Sequence, residues 1–334
     1  MKRSSSAQKI YLSIILILGF TAFIIPPFLG GQEVHVYRAL KDFHSLDARI
    51  IFTIRLPRIL FAFMVGAGLA LVGAVFQALL RNDLATPYTL GVSSGGALGA
   101  VLAIKTGLEI HFLGFSSVVL FSIAGSMISL LIIYSVARGP YGMSEFTLIL
   151  AGVTISLTAS AFILFIHYLA DFTETYRMVR WLMGGLSISG WQVPLLLLLA
   201  IIPVAGYFIF RIQAFNLLVM GRDLARSKGL DVKKLQTYSF FLSSILIGVI
   251  VSLAGPIGFV GLIVPHILRL IFGPDHRWLF PLSIIFGGAF LIWCDTLARL
   301  LIYPAEIPVG IITALSGGPF FIYLLLRYKQ IARD

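Results

Sequence analysis

Residues 235–268 read LQTYSFFLSSILIGVIVSLAGPIGFVGLIVPHIL, thirty-four positions without one Asp, Glu, Lys or Arg. As a single α-helix they would extend about 51 Å. A bilayer's hydrocarbon core is about 30 Å thick and takes roughly 20 apolar residues per crossing. Gly255-Pro256 lies inside the run, and a proline removes a backbone donor and disfavours continuing the helix. Two spans are therefore expected here, 235–254 and 257–272, with the break at the Gly-Pro step.

Eight further charge-free runs lie outward from this one: 10–32, 59–80, 84–104, 110–137, 146–170, 181–210, 278–294 and 307–326. Taking one span from each, the chain reads as an all-α polytopic membrane protein with ten transmembrane helices. Their expected limits are about 10–29, 57–80, 88–104, 112–137, 146–170, 191–210, 235–254, 257–272, 279–302 and 307–327. Composition agrees, because 59% of residues are hydrophobic, 12% are charged and the mean hydropathy is +0.99. Soluble domains carry about 25% charged residues. Residues 1–334 read as one membrane domain without a linker, a low-complexity tract or an appended soluble domain.

An even number of spans leaves both termini on one side. With the N-terminus cytoplasmic, sixteen of the 25 Lys and Arg fall inside and nine outside, as the positive-inside rule requires. The expected place is the cell (inner) membrane. The net charge of +11 is then a topology signal. Nucleic acid is excluded as a partner, because the basic residues are scattered between spans instead of forming one stripe. The first span reads as an uncleaved helix, since no small-residue cleavage site follows it and Pro26-Pro27 ends it. The single cysteine, Cys294, lies within a span and rules out an intramolecular disulfide. It reads as a packing residue.

Three connections are long. The outer stretch 30–56 is charged and is expected to hold some surface helix. The outer stretch 171–190 carries Asp171, Glu174, Arg177 and Arg180 and ends between Trp181 and Trp191, residues suited to a membrane interface. The inner stretch 212–234 mixes apolar and basic residues at helical spacing and reaches Gly229, a candidate helix C-cap. Gly91, Gly95 and Gly99 recur four apart, as do Gly152, Ser156 and Ser160. Such faces let helices pack closely in lipid, where no hydrophobic force drives helices together.

Catalytic signatures are missing from the sequence. No GxxxxGK[ST] loop and no H-x-x-H or H-E-x-x-H pair occurs. An enzyme is not expected, nor a metal or cofactor bound by this chain.

Five segments carry sharper signals, each with a bland reading beside it. Arg55-Leu-Pro-Arg58 puts two arginines on one helical face at the outer end of span 2; both could equally snorkel to headgroups. Arg81-Asn-Asp-Leu-Ala-Thr-Pro87 could be an ordinary polar turn. His266 and Arg269 stand one turn apart in an apolar segment, where ionisable groups are functional suspects or ties between helix ends. Asp295-Thr-Leu-Ala-Arg299 and Glu306-Ile-Pro-Val-Gly310 bring Arg299 and Glu306 to the outer end of spans 9 and 10. In span 5, Thr147, Ala151, Thr154, Thr158 and Ala161 form one small, mildly polar stripe. It can line a translocation path or serve helix packing.

In order and spacing these segments resemble the FecCD family of type II ABC importer permeases, over about residues 50–327. The residues that carry the resemblance are Arg55-Leu-Pro-Arg58, Gly66-Ala-x-Leu-Ala-x-x-Gly-Ala-x-x-Gln77, Leu90-Gly-Val-Ser93, Gly258-Phe-x-Gly-Leu-x-x-Pro-His266 and Glu306-x-Pro-x-Gly310. Asp83 departs from the pattern, since the family usually has proline in an Asn-Pro-Leu-Ala turn.

The resemblance implies the type II ABC importer permease fold and uptake of a ferric siderophore, haem or cobalamin. It implies a second copy of the chain or a paralogous permease, two cytoplasmic ATPase subunits that bind the ATP and Mg, and an extracytoplasmic substrate-binding protein. By matching position, Arg55, Arg58 and Arg299 receive acidic residues of the binding protein, and Asn82 and Leu84 form the cytoplasmic gate. Leu218, Gly221, Arg222, Ala225, Arg226 and Gly229 belong to the loop that couples to the ATPase. Thr147, Thr154 and Thr158 lie on the helix that lines the path. The competing reading is an ion-coupled secondary transporter of an organic solute, for which Asp295 and His167 would be the coupling groups.

Overall fold

Each of the ten expected segments overlaps a helix in the computed structural model, which describes residues 5–30, 34–112, 114–139 and 142–331. In chain order the helices are α1 (Ser5–Ile24), α2 (Val36–Lys41), α3 (Leu46–Arg49), α4 (Leu56–Leu79), α5 (Val92–Thr106), α6 (Ser117–Ala137), α7 (Glu145–Tyr168), α8 (Phe172–Leu182), α9 (Gln192–Phe210), α10 (Ile212–Val219), α11 (Arg222–Ser227), α12 (Val232–Ala254), α13 (Val260–Phe272), α14 (His276–Leu300) and α15 (Val309–Ile331). Those carrying α4, α6, α7, α9, α12 and α14 are long and apolar enough to cross a membrane, and the apolar parts of α1, α5, α13 and α15 are shorter. The protein is a multi-pass membrane protein. Lys2, Arg3 and Arg333, counted above for orientation, lie outside the described residues.

α4 is the axis of the bundle. From Phe61 to Leu79 nearly all of it is buried, against α9, α12, α13 and α14. Its small residues explain how: a Cβ placed on Gly73 would overlap the Gly261 carbonyl, so α4 and α13 cross with their backbones in contact. α5 and α6 pair in the same manner, with Gly95 and Gly99 set against Gly125 and Phe121. α7 is built the opposite way, with only Leu148, Gly152, Ala159 and Ile166 buried.

The break expected at Gly255-Pro256 is present, between Ala254 and Val260. The segment after α8 is wedged into it. The Gly185 N–H donates to the Ala254 carbonyl at 2.8 Å, and a Cβ on Gly184 would lie 2.5 Å from the Pro256 carbonyl. On its other side the Met183 carbonyl meets Gly310, so α8, the α12–α13 turn and the start of α15 share one joint.

The three long connections contain helix. The surface helix expected in 30–56 is present as α2 and α3, and Leu46–Leu79 runs on as one continuous helix into the span. It widens into a π-helical turn over Ile50–Arg55, just ahead of Pro57. Proline offers no N–H, so the carbonyls of Phe52 and Thr53 need other donors. The Trp191 indole N–H (3.0 Å) and the Gly190 N–H (2.8 Å) supply them. The stretch 171–190 contains α8, started by a capping box in which Asp171 and Glu174 serve each other's backbone N–H. The stretch 212–234 folds as α10 and α11, separated at Met220-Gly221, and Gly229 (φ +82°) closes α11 as expected.

Candidate functional site

At the end of the bundle expected to face outward, the structure brings together Arg55 and Arg58 from the start of α4 and Arg299 from the end of α14. Their guanidiniums point into the protein. Arg58 grips Asp295 through Nη2 (2.8 Å) and Nε (3.0 Å), and its Nη1 donates to both oxygens of Glu306 (2.9 and 3.2 Å). Arg299 Nε donates to the same Asp295 (3.2 Å), and Arg299 Nη1 and Arg55 Nη1 donate to the carbonyls of Leu29 and Pro27 in the exit from α1. Side-chain exposure is 11% for Arg58, 10% for Arg299 and 3% for Asp295, against 45% for Glu306. Three arginines thus form the expected cluster, but as an internal network with one carboxylate at its mouth. The sequence reading missed that Asp295 is the hub, although its i,i+4 spacing to Arg299 is a signal. A cavity of about 60 Å³ opens beside the network, lined in part by Arg58, Arg180, Ser187, Asp295 and Glu306.

At the opposite end α4 stops in a Schellman turn. The Asn82 N–H reaches back to the Gln77 carbonyl (3.1 Å) and the Arg81 N–H to Ala78 (3.4 Å), with Arg81 left-handed at φ +47°. Asn82 Oδ1 accepts from the Leu84 N–H at 2.9 Å, which leaves Leu84 exposed on the outside of the turn. Asp83 between them forms an ion pair with Arg269 at the end of α13.

The neighbouring α10–α11 segment is anchored at both ends. Asn216 donates to Asp275 (2.8 Å) and accepts from the His276 N–H (2.9 Å) at the start of α14. Burial pushes the Asp275 carboxyl up, but the Arg277 N–H and the Asn216 amide more than offset this and hold it below the usual carboxylate range. Arg222 bonds Glu145 (2.9 Å) and the Met143 carbonyl (3.2 Å) at the start of α7. Leu218 and Ala225 are buried under the segment, whereas Met220, Leu224 and Arg226 are exposed. Of the residues expected to couple, then, Leu218, Ala225 and Arg222 hold the segment to the bundle. Gly221 (φ +132°) hinges it.

On α7, Thr154 and Thr158 are exposed and Thr147 is half-buried. The Thr154 hydroxyl donates to the Leu150 carbonyl at 2.9 Å, so its O–H is used and it can offer a passing solute only its acceptor lone pairs. Thr158 also borders an apolar cavity of about 460 Å³ between α5, α6 and α7, shared with Gly95, Gly99, Leu102, Ile128 and Phe162.

Residues 12–327 match the model of the FecCD transport family. A hemin transport system permease of Yersinia pestis is 37% identical, the match covering 94% of this chain and 96% of that one. A vitamin B12 import system permease of Citrobacter koseri is also 37% identical, over 96% of this chain and 95% of that one. A solved structure described as an inward-facing conformation of a metal-chelate type ABC transporter superposes with a TM-score of 0.84 at 32% identity, over 95% of this chain and 99% of that one.

Proposed function

The chain belongs to the FecCD transport family, and from that premise we propose that it is the permease subunit of an ATP-driven importer for bulky metal chelates. Cargo of the class of haem, a ferric siderophore or cobalamin passes from an extracytoplasmic binding protein through a path bordered by α7 and into the cytoplasm. A second permease copy, or a paralogue, completes the path, and two ATPase subunits bind ATP and Mg. The Arg55, Arg58 and Arg299 cluster receives the binding protein, the turn bearing Asn82 and Leu84 closes the inner end, and α10–α11 carries the ATPase stroke.

One observation carries this reading. α10–α11 exposes Met220, Leu224 and Arg226 while being tied to α14 through Asn216 and to α7 through Arg222. A segment built to be pushed from outside, and fastened to the path helix, suits a permease that takes its energy from another subunit. An ion-coupled transporter would instead need a carboxylate open to the coupling ion. The Asp295 oxygens are taken up by the guanidiniums of Arg58 and Arg299, which speaks against that alternative at this residue. The test is uptake of haemin or cobalamin into proteoliposomes containing the permease, its ATPase and binding protein. Uptake should require ATP hydrolysis. Uptake driven by an ion gradient without the ATPase would overturn the proposal.

A further inference from the structure

We propose that Asp83 and Arg269 form a latch that holds the inner turn 81–87 shut, so that in this chain the gate is positioned by an ion pair. The inference rests on reading that turn as the inner gate and adds the residues that hold it.

The turn is hydrogen-bonded within itself but carries one unfavourable backbone position. Arg81 occupies the left-handed position of the Schellman motif, which glycine usually fills and other residues resist. Asp83, two residues on, pairs with Arg269 Nη1. The other edge of the same guanidinium donates, through Nη2, to Gln77 Oε1 at 2.7 Å. Gln77 in turn donates from Nε2 to the Gly261 carbonyl at 3.4 Å. That carbonyl lacks its helical partner because residue 265, four positions later, is proline. A continuous polar chain therefore runs from the gate turn, through Arg269 and Gln77, to the point where α4 and α13 cross at Gly73 and Gly261. Lifting the turn, or parting α13 from α4, must break it.

The two partners are unequally placed. The Arg269 side chain is mostly covered, while the Asp83 carboxylate approaches from the water side with more than half its surface exposed. A tie of this kind can be released without disturbing the helix packing beneath it, and salt weakens it.

Ala85 reports on the latch. It is 3% exposed, and its N–H bonds the Asn82 carbonyl at 3.1 Å, so a thiol there is covered while the turn is down. The full-length chain with Cys294→Ala and Ala85→Cys is labelled in inside-out membrane vesicles with a membrane-impermeant maleimide. Adding Asp83→Asn should raise the labelling rate about fivefold, the factor set by a partly exposed ion pair near the upper end of its usual strength. Raising the salt to about 1 M, where the screening length is about 3 Å, should accelerate the Asp83 parent and leave Asp83→Asn unmoved. Asp83→Glu, which keeps the charge, should label slowly and remain salt-sensitive. Equal rates for Asp83→Asn and the parent, or a parent indifferent to salt, would overturn the latch. Cargo uptake by the same variants in proteoliposomes tests the importer reading separately. A parent that transports while Asp83→Asn labels like it removes the latch alone.

Discussion

Glu145 Oε1 accepts a hydrogen bond from Arg222 Nη2 at 2.9 Å, fastening the first turn of α7 to the first turn of α11. The pair is half-buried, and such pairs contribute about 0.2–1 kcal/mol. Breaking it should leave the fold intact and loosen the mechanical link. Glu145→Gln and Arg222→Ala are expected to keep normal protein yield and ATPase activity while raising the ATP consumed per cargo molecule imported. The measurement is that ratio in proteoliposomes, and an unchanged ratio in both variants would show that α11 does not drive α7 through this contact.

Asp295 should matter far more for stability than Glu306, although both bond Arg58. Asp295 is 3% exposed and serves two guanidiniums, so Asp295→Ala leaves buried charge uncompensated. Removing one member of a buried pair costs about 3–5 kcal/mol. Glu306 stands at the water's edge, where loss of a contact costs about 1 kcal/mol or less. Thermal unfolding in detergent should therefore fall steeply for Asp295→Ala and slightly for Glu306→Ala. Equal drops would mean that the network is not organised around Asp295.

The long apolar helices were legible in the sequence because the signal is long and redundant: a charge-free run of 34 residues admits few arrangements, and Gly255-Pro256 marks the break. The turn at Gly229 and the grouping of Arg55, Arg58 and Arg299 followed from local spacing and from the family pattern. What could not be read was where each polar group finds its partner. Nothing near Pro57 in sequence says that Trp191 and Gly190 will serve the carbonyls of Phe52 and Thr53. Nor does spacing say that Arg58 turns inward to Asp295, 237 residues away. Only the local i,i+4 relation of Asp295 to Arg299 hinted at that hub. α8 was missed although Asp171 and Glu174 have capping-box spacing, because a charged stretch between two apolar runs reads as a connection.

Thr154 and Thr158 are exposed on a helix that buries only four residues. Cysteine at either position, in a Cys294→Ala background, should react with small polar thiol reagents in at least one nucleotide state of the assembled transporter. Thr158→Cys should also be slowed by bulky apolar reagents that fill the adjoining cavity. If both cysteines stay inert in every state, the stripe is a packing face.

Acid should loosen α8. The Glu174 carboxylate is held below its ordinary range, first by the Lys105 ammonium at 2.7 Å and then by the Asp171 N–H. A depressed carboxyl stabilises the folded state above its unfolded pKa, about 4.3 for glutamate, and the contribution disappears as pH falls through the lower folded value. Protection of amides 172–182 from hydrogen exchange should then hold at neutral pH and fall below about pH 4. Glu174→Gln should show reduced protection throughout and no such acid step. A step of the same size in that variant would assign it to another group.

The exposed carboxylate at the arginine cluster makes the docking role testable in a direction that a merely structural role does not share. Arg55, Arg58 and Arg299 against Asp295 and Glu306 leave one net positive charge, and Glu306 occupies the one edge of Arg58 that faces water. An acidic side chain of a docking protein would have to compete for that edge. Glu306→Gln removes the competitor and raises the local charge by one. Complementary charge acts mainly on the rate of encounter and is screened over about 8 Å at physiological ionic strength. The variant is therefore expected to bind its extracytoplasmic partner a few-fold faster, with a steeper loss of affinity as salt rises. Reversing Arg55, Arg58 and Arg299 together to Glu should abolish capture on either reading, because it also breaks the buried network, so Glu306→Gln is the deciding variant. Binding kinetics on detergent-solubilised permease decide the matter. If Glu306→Gln binds more weakly than the parent, Glu306 itself touches the partner and the three arginines are struts that hold α1, α4 and α14 together.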